Sequence, residues 1–401
     1  MKFVFSGADV FLKEKDKNVS ATVNFDTNGD SVSYSTAIAC DKYSVFPGFV
    51  DVHVHFREPG FSYKETIVSG SRAAARGGYT DVCTMPNLKP APDSLENLNI
   101  QLDLIRKGSV INTVPFGTIT KGELGLELSD IEAMAPYVCG YSDDGRGVND
   151  TGLMREAMER AKALDKIISA HCEDGASPLD SPEAEWRQIE RDIRLASDTK
   201  VKYHVCHIST KESVALIREA KKSGIDITCE TAPHYLLLSS KDILDDGRFR
   251  MNPPLREEAD RLALLEGISD GTVDMIATDH APHSAEEKGR GLKSLNGIVG
   301  LEVAFPIMYT ELVRKGEMSL EKLIDLMSFN PAERFGFSSN GFCLYDLNTE
   351  YTVDPSEFAS MGRSTPFSEK RVYGRCLATV LDGRVAFLDA GALGINIEKI
   401  N

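Results

Sequence analysis

From residue 49 to about 315, apolar runs of strand length alternate with amphipathic runs of helix length, the order expected of parallel βαβ units. Strands are predicted at 49–55, 79–84, 112–118, 136–142, 167–172, 201–207, 225–230 and 273–278. Helices follow at 63–76, 94–107, 130–135, 151–164, 182–197, 211–222, 257–268 and 300–315. Asp93 with Glu96, Ser129 with Glu132 and Ser209 with Glu212 stand at capping-box spacing, Ser181 precedes Pro182, and Gly77 closes the first helix. Eight alternating units predict an α/β fold, a (β/α)8 TIM-type barrel. The flanks read differently. Short alternating segments at 2–5, 22–25 and 31–34, with Asn28-Gly29 as a hairpin turn, precede the barrel, and further short segments at 342–345, 350–353, 371–381 and 385–388 follow it. Neither flank buries a core alone. The expected division is therefore a composite β-sandwich domain, 1–45 with 340–401, and a barrel spanning 46–339.

Composition adds constraints. A chain of 401 residues, 42% hydrophobic and 26% charged, is ordinary for a globular protein, and no window approaches the ~18 apolar residues of a membrane span. A net charge of -16 argues against nucleic acid and anionic membranes as partners, so an anionic substrate would need local positive charge. The eight cysteines are scattered with no CxxC, and Gly7, Asp9 and several lysines interrupt the first apolar residues. Both features lead to an expectation of a reducing, cytoplasmic setting.

Chemistry concentrates where a barrel places its active site, at the C-terminal strand ends. The stretch FPGFVDVHVHFREPG (46–60) puts His53 and His55 on one face of the first strand. Two such imidazoles suit a shared divalent ion, although core histidines bonded to carbonyls would give the same pattern. Context favours the ion. Strand four is followed by Asp143 and Asp144, strand five ends at His171, strand six at His207 and strand eight at Asp279, and all eight histidines lie between 53 and 283. Four histidines and two carboxylates exceed one tetrahedral site and suit two ions with a bridge. Asp143 and Asp144 compete for one role. Strand alternation places His204 opposite His207, against the helical layer, and excludes His280 beside Asp279; His234 reads as a supporting residue.

The segments HVHFREPG (53–60), MPN (85–87), YSDDG (141–145), AHCED (170–174), CHISTKES (206–213), MNPPLR (251–256) and TDHAPH (278–283) together resemble dihydroorotases of the amidohydrolase superfamily, in the bacterial branch where an aspartate bridges the metals. The resemblance covers roughly 46–335. It implies zinc-dependent, reversible cyclisation of N-carbamoyl-L-aspartate to L-dihydroorotate in pyrimidine biosynthesis. It also implies two Zn2+ ions per subunit, one held by His53, His55 and Asp279, the other by His171 and His207, bridged by Asp144 and a hydroxide. Asp279 is then the proton shuttle. Arg57, Asn87 and His283 match positions that hold the substrate carboxylate, Asn252 one that contacts the ring, and Asn296 with Gly297 a backbone contact. Arg57 would supply the positive charge that the acidic chain otherwise lacks. A homo-oligomer, and association with aspartate transcarbamoylase, are the implied assemblies. The rivals are another cyclic amidohydrolase such as allantoinase, against which Arg57, Asn87 and His283 speak, and a non-catalytic partner of a transcarbamoylase, which would be expected to lose ligands. The glycines and charges of 284–295 suggest a mobile segment beside the site.

Overall fold

The structure is a computed structural model that describes residues 2–10, 17–24, 35–39, 42–338 and 341–393. Parallel strands Phe49–Val54, Tyr79–Thr84 and Asn112–Pro115 form one run. Gly140–Tyr141, Ile167–Ala170, Lys202–Val205, Ile227–Thr231 and Met275–Ile276 form the other. Parallel bridges Gly117 to Tyr141 and Val54 to His280 join the runs into a closed ring. The fold is a (β/α)8 barrel carrying a β layer, and each strand falls inside its predicted segment or within a residue of it.

The first seven helices, Ile67–Arg76, Leu95–Gly108, Ile131–Met134, Thr151–Ala163, Pro182–Thr199, Lys211–Lys222 and Glu258–Asp270, each follow their strand. The last predicted helix is split into Ala304–Met308 and a π turn, Tyr309–Val313. Ser181 caps its helix as expected, accepting from Ala184 N, and Gly77 ends the first. The three expected capping boxes are shifted by one residue: Ser94, Asp130 and Thr210 stand at the N-caps. Asp93 instead accepts from Gly122 N, and Ser209 bonds the buried Glu185. Sequence spacing alone could not tell these alternatives apart, because a capping side chain competes for every nearby donor.

The barrel interior holds Val50, Val52, Cys83, Met85, Phe116, Ile167, Cys206, Met275 and Ala277. A segment not anticipated from the sequence closes its N-terminal end. Leu320–Ile324, Asp325–Phe329 and Asn330–Phe335 run on as one helical stretch, with Asn330 donating to Asp274 O, Arg334 to Tyr203 O and Ser328 to Gly48 O. Phe335 packs on Phe116 from below.

Strands from both ends of the chain form one seven-stranded sheet in the order Arg384–Leu388, Arg375–Leu381, Phe342–Asp346, Ser44–Pro47, Lys2–Val10, Lys17–Asn24, with Ser35–Ala39 alongside Lys2–Val10. The expected turn at Asn28-Gly29 and the segment 31–34 lie outside the described residues. Ser44–Pro47 leads straight into the first barrel strand through Gly48, where an added Cβ would lie 2.1 Å from Thr80 Oγ1, so only glycine lets the chain pass. The junction is sealed by aromatic rings: Phe49 stacks on Phe305 (5.3 Å between centroids) and meets Tyr345 (5.7 Å) and Tyr79 (5.8 Å). Phe49→Ala is therefore expected to cost about 3–5 kcal/mol of stability, read by denaturant unfolding; a loss below about 1 kcal/mol would show that the junction repacks. Among the described residues no helix is long and apolar enough to cross a membrane.

Candidate metal centre

Alternation along the strands decides which side chains reach the barrel axis. On the last strand Met275 and Ala277 belong to the interior and Ile276 to the outer core, so Asp279 follows inward. On the fifth, Ile167 is inside and Ile168 and Ala170 are outside, which turns His171 inward. The same parity turns Asp144 inward and Asp143 outward, where its carboxylate accepts from Ile119 N (2.7 Å) and Thr120 N (3.0 Å).

Three site histidines reach the axis only because parity is broken. Val50 and Val52 face the interior, yet Val54 packs in the outer core, because the pairing register shifts between Asp51 and Val54. This irregularity, one residue longer than its partner strand, turns His53 and His55 inward. On the sixth strand Tyr203 faces the helices, donating to Asp192, so His204 and Cys206 face inward. His207 would then face outward, but its φ of 31° turns it back to the axis. The expectation for His204 is thereby corrected: it lies inside the barrel, bonded to Glu230 Oε2 (3.1 Å) and Thr228 Oγ1 (2.9 Å), with Phe335 against its ring. His280 does lie outside, facing Glu65. Among the described residues nine non-glycine residues have positive φ, and Arg57 (53°), His207 (31°) and Asp279 (47°) are three of them. Such backbone persists where its surroundings impose it, typically at functional sites.

The result is a buried cluster in which Asp144 touches four imidazoles. Its Oδ1 lies 3.2 Å from His53 Nε2, 3.5 Å from His207 Nε2 and 3.6 Å from His171 Nδ1, and its Oδ2 lies 3.4 Å from His55 Nε2. Asp279 Oδ1 is 3.1 Å from His55 Nε2 and 3.6 Å from His53 Nε2. Two triads therefore meet here, His53 with His55 and Asp279, and Asp144 with His171 and His207, each with ligand atoms within 4.8 Å of one another. Both suit a divalent ion. His53 Nε2 and Asp144 Oδ1 are buried without a hydrogen-bond partner, a costly state that a cation between them would relieve. Burial would push the Asp144 carboxyl up, but the charge of His53 and the close imidazoles of His171 and His207 hold it well below the usual range. Burial and then Arg57 push His55 down, leaving the neutral imidazole that a metal ligand must be. Cys206 lies near His53 and Asp144, but burial pushes its thiol up to about 12 and keeps it protonated.

Each ligand histidine on the first strand is oriented from behind. Glu230 Oε1 takes the Nδ1 proton of His53 at 2.6 Å and also accepts from His207 N at 3.3 Å, while Asn87 Oδ1 takes that of His55 at 2.9 Å. Glu173 Oε2 takes the Nε2 proton of His171 at 3.3 Å. Both lone pairs on the first strand, and that of His171, are thereby aimed at the cluster. Glu230 and Glu173 escaped the sequence reading; the signal for Glu230 was a lone carboxylate inside a strand of small residues. Glu230→Gln is expected to weaken metal binding about 10–100-fold, measured by chelator competition, and unchanged affinity would exclude this orienting role.

The expected substrate residues have the following surroundings. Arg57 is buried, and its Nε donates to Pro282 O at 3.3 Å. Asn87 is engaged with His55. Asn252 is half-buried and bonds Glu173. Burial, with Arg57 and Lys64 nearby, pushes His283 down to about 3. It is thus neutral, giving Nε2–H to Asn296 O (2.7 Å) and accepting from Lys64 Nζ on Nδ1 (3.2 Å). Gly297 N donates to Arg250 O at 3.1 Å. His234 is buried with Nε2 unpartnered.

Residues 43–178 match the family described as dihydro-orotase-like. The dihydroorotase of Fusobacterium nucleatum is 46% identical, with 96% of each chain covered. The chain belongs to the dihydroorotase family. It is accordingly an enzyme of the cyclic amide hydrolase class. The Bacillus subtilis dihydroorotase is 44% identical over 89% of this chain and 90% of its own. In fold, this family member is similar to the L-hydantoinase of Arthrobacter aurescens (TM-score 0.83, 23% identity, 96% and 95% covered) and the dihydropyrimidinase of Brevibacillus agri (0.84, 21%, 97% and 95%).

Proposed function

We propose that the chain interconverts L-dihydroorotate and N-carbamoyl-L-aspartate at a centre for two zinc ions, held by His53, His55 and Asp279 and by His171 and His207, with Asp144 between. The observation that carries this reading is the meeting of both triads at Asp144, with a buried arginine beside them and dihydroorotases at 44–46% identity. When bound, divalent ions in such sites lower the pKa of a coordinated water toward ~7 and polarise a carbonyl.

The chain supplies the rest. Arg57, fixed through Nε, presents its terminal nitrogens to the substrate carboxylate. Asn252 and the 296–297 backbone bound the ring, and Asn87 supports His55 while flanking the carboxylate site. In the hydrolytic direction water adds to the ring amide carbonyl carbon and the C–N bond breaks. The Asp279 carboxylate receives the water proton and returns it to the departing ring nitrogen; in ring closure the proton moves the other way.

The same reading includes a composite β domain of 1–45 with 340–401 beside a barrel of 46–339, a homo-oligomer, association with aspartate transcarbamoylase, and a cytoplasmic setting. The unpaired, mostly buried cysteines among the described residues support a reducing compartment. Hydrolysis of L-dihydroorotate by zinc-loaded protein, with allantoin and dihydrouracil run in parallel, tests the assignment. Preferential turnover of dihydroorotate is expected, and preference for either rival substrate would overturn it.

A further inference from the structure

Lys288 ends the short turn Ala285–Lys288 beyond the last barrel strand. Although 9% exposed, its Nζ faces backbone carbonyls, donating to Gly297 O at 2.6 Å, Leu295 O at 2.8 Å and Arg250 O at 3.0 Å. An ammonium has three N–H donors, and each here has one acceptor. Asp246 acts on this ammonium only at a distance, and burying an ammonium without a carboxylate in contact is costly, so the arrangement calls for a compensating purpose.

What it joins suggests one. Arg250 precedes Met251-Asn252, while Leu295 and Gly297 flank Asn296, so the three carbonyls belong to two separate loops at the pocket mouth. Secondary ties follow the same seam, Gly297 N to Arg250 O (3.1 Å) and Leu292 N to Asp245 Oδ1 (2.9 Å), and within the second loop Ser294 Oγ donates to Lys288 O (2.9 Å). In the segment 284–295, expected to be mobile, Lys288 is the buried side chain that makes three bonds to these two loops. We propose that Lys288 is a positioning residue whose ammonium locks the loop carrying Asn252 to the loop carrying Asn296 and Gly297, and thereby sets substrate affinity. The inference rests on the reading of these loops as the substrate wall. Burial, with Arg250 adding to it, pushes Lys288 down to about 8, so the cation that three acceptors require is present at neutral pH.

Lys288→Met keeps the apolar stem and removes the donors, so Leu295 O and Gly297 O lose the ammonium and Arg250 O keeps only Gly297 N. In the zinc-loaded enzyme we expect amide hydrogen exchange across 288–297 to speed up about tenfold or more. KM for dihydroorotate should rise about tenfold while kcat falls less than about threefold and zinc content stays unchanged. Exchange at the wild-type rate overturns the lock. Faster exchange with unchanged KM overturns the substrate-wall reading and the positioning role with it, while leaving the lock itself standing. In Lys288→Ala, ethylammonium is expected to restore KM and ethanol is not; equal effects of the two, or of neither, count against the ammonium. This second variant also serves if the first does not fold.

Discussion

Asp279→Asn is expected to lower kcat by about 10^3-fold, within the range that a positioned proton-transfer group contributes, while the protein keeps most of its bound metal. Asp279 is held at the end of the last strand by a left-handed backbone (φ 47°) and lies 3.1 Å from His55 Nε2. Burial pushes its carboxyl up, but His55 and His53 outweigh that and hold it below the usual range, so it stands ready as a base. The amide keeps an oxygen facing His53 and His55 but cannot take a proton. Metal retention follows from the ligands that remain: both imidazoles still have Glu230 and Asn87 behind them. Turnover per bound metal ion is the quantity to read. A rate within tenfold of the parent would remove Asp279 from the proton path, and loss of metal in step with loss of rate would make it a ligand only.

The barrel was legible in the sequence because strand-length and helix-length periods alternate without interruption from 49 to about 315, and each period reports burial on a defined face. The cluster was legible for a different reason: polar ligands at strand ends have no packing purpose. His171 and Asp279 follow the alternation of their own strands. His207 does not, and the error over His204 has the same origin, since a single residue with φ of 31° reverses parity and leaves no trace in composition. The irregularity that turns His53 inward is equally silent. Glu230 and Lys288 were missed because their value lies in what they touch elsewhere in the chain, 177 positions away for Glu230 and His53, whereas Glu173 bonds His171 only two positions away and its spacing gives no sign of that role. The helical stretch that ends in Phe335 was missed because no parallel barrel strand follows it, only the antiparallel Phe342–Asp346 of the β layer, and so no βαβ rhythm marks it.

Arg57→Ala is expected to raise KM for dihydroorotate about 10^2-fold while binding of dihydrouracil, which lacks the carboxylate, changes less than about threefold. The magnitude follows from losing a charge-assisted, two-point grip on a carboxylate in a buried setting, worth roughly 3 kcal/mol, with each 1.36 kcal/mol a factor of ten. The neutral analogue matters because Arg57 also has a structural share: it is buried, bonded to Pro282 O, and holds φ at 53°, a conformation that alanine tolerates no better. A collapse of the 56–60 turn would weaken both ligands alike. Loss of charge alone weakens only the anion, since the acidic chain offers little to replace it: Lys64, the other cation here, is already committed to Glu287 at 3.0 Å and to His283. Equal losses for the two ligands would make Arg57 structural and move carboxylate recognition elsewhere in the pocket. A selective loss would tie specificity to the buried guanidinium of Arg57.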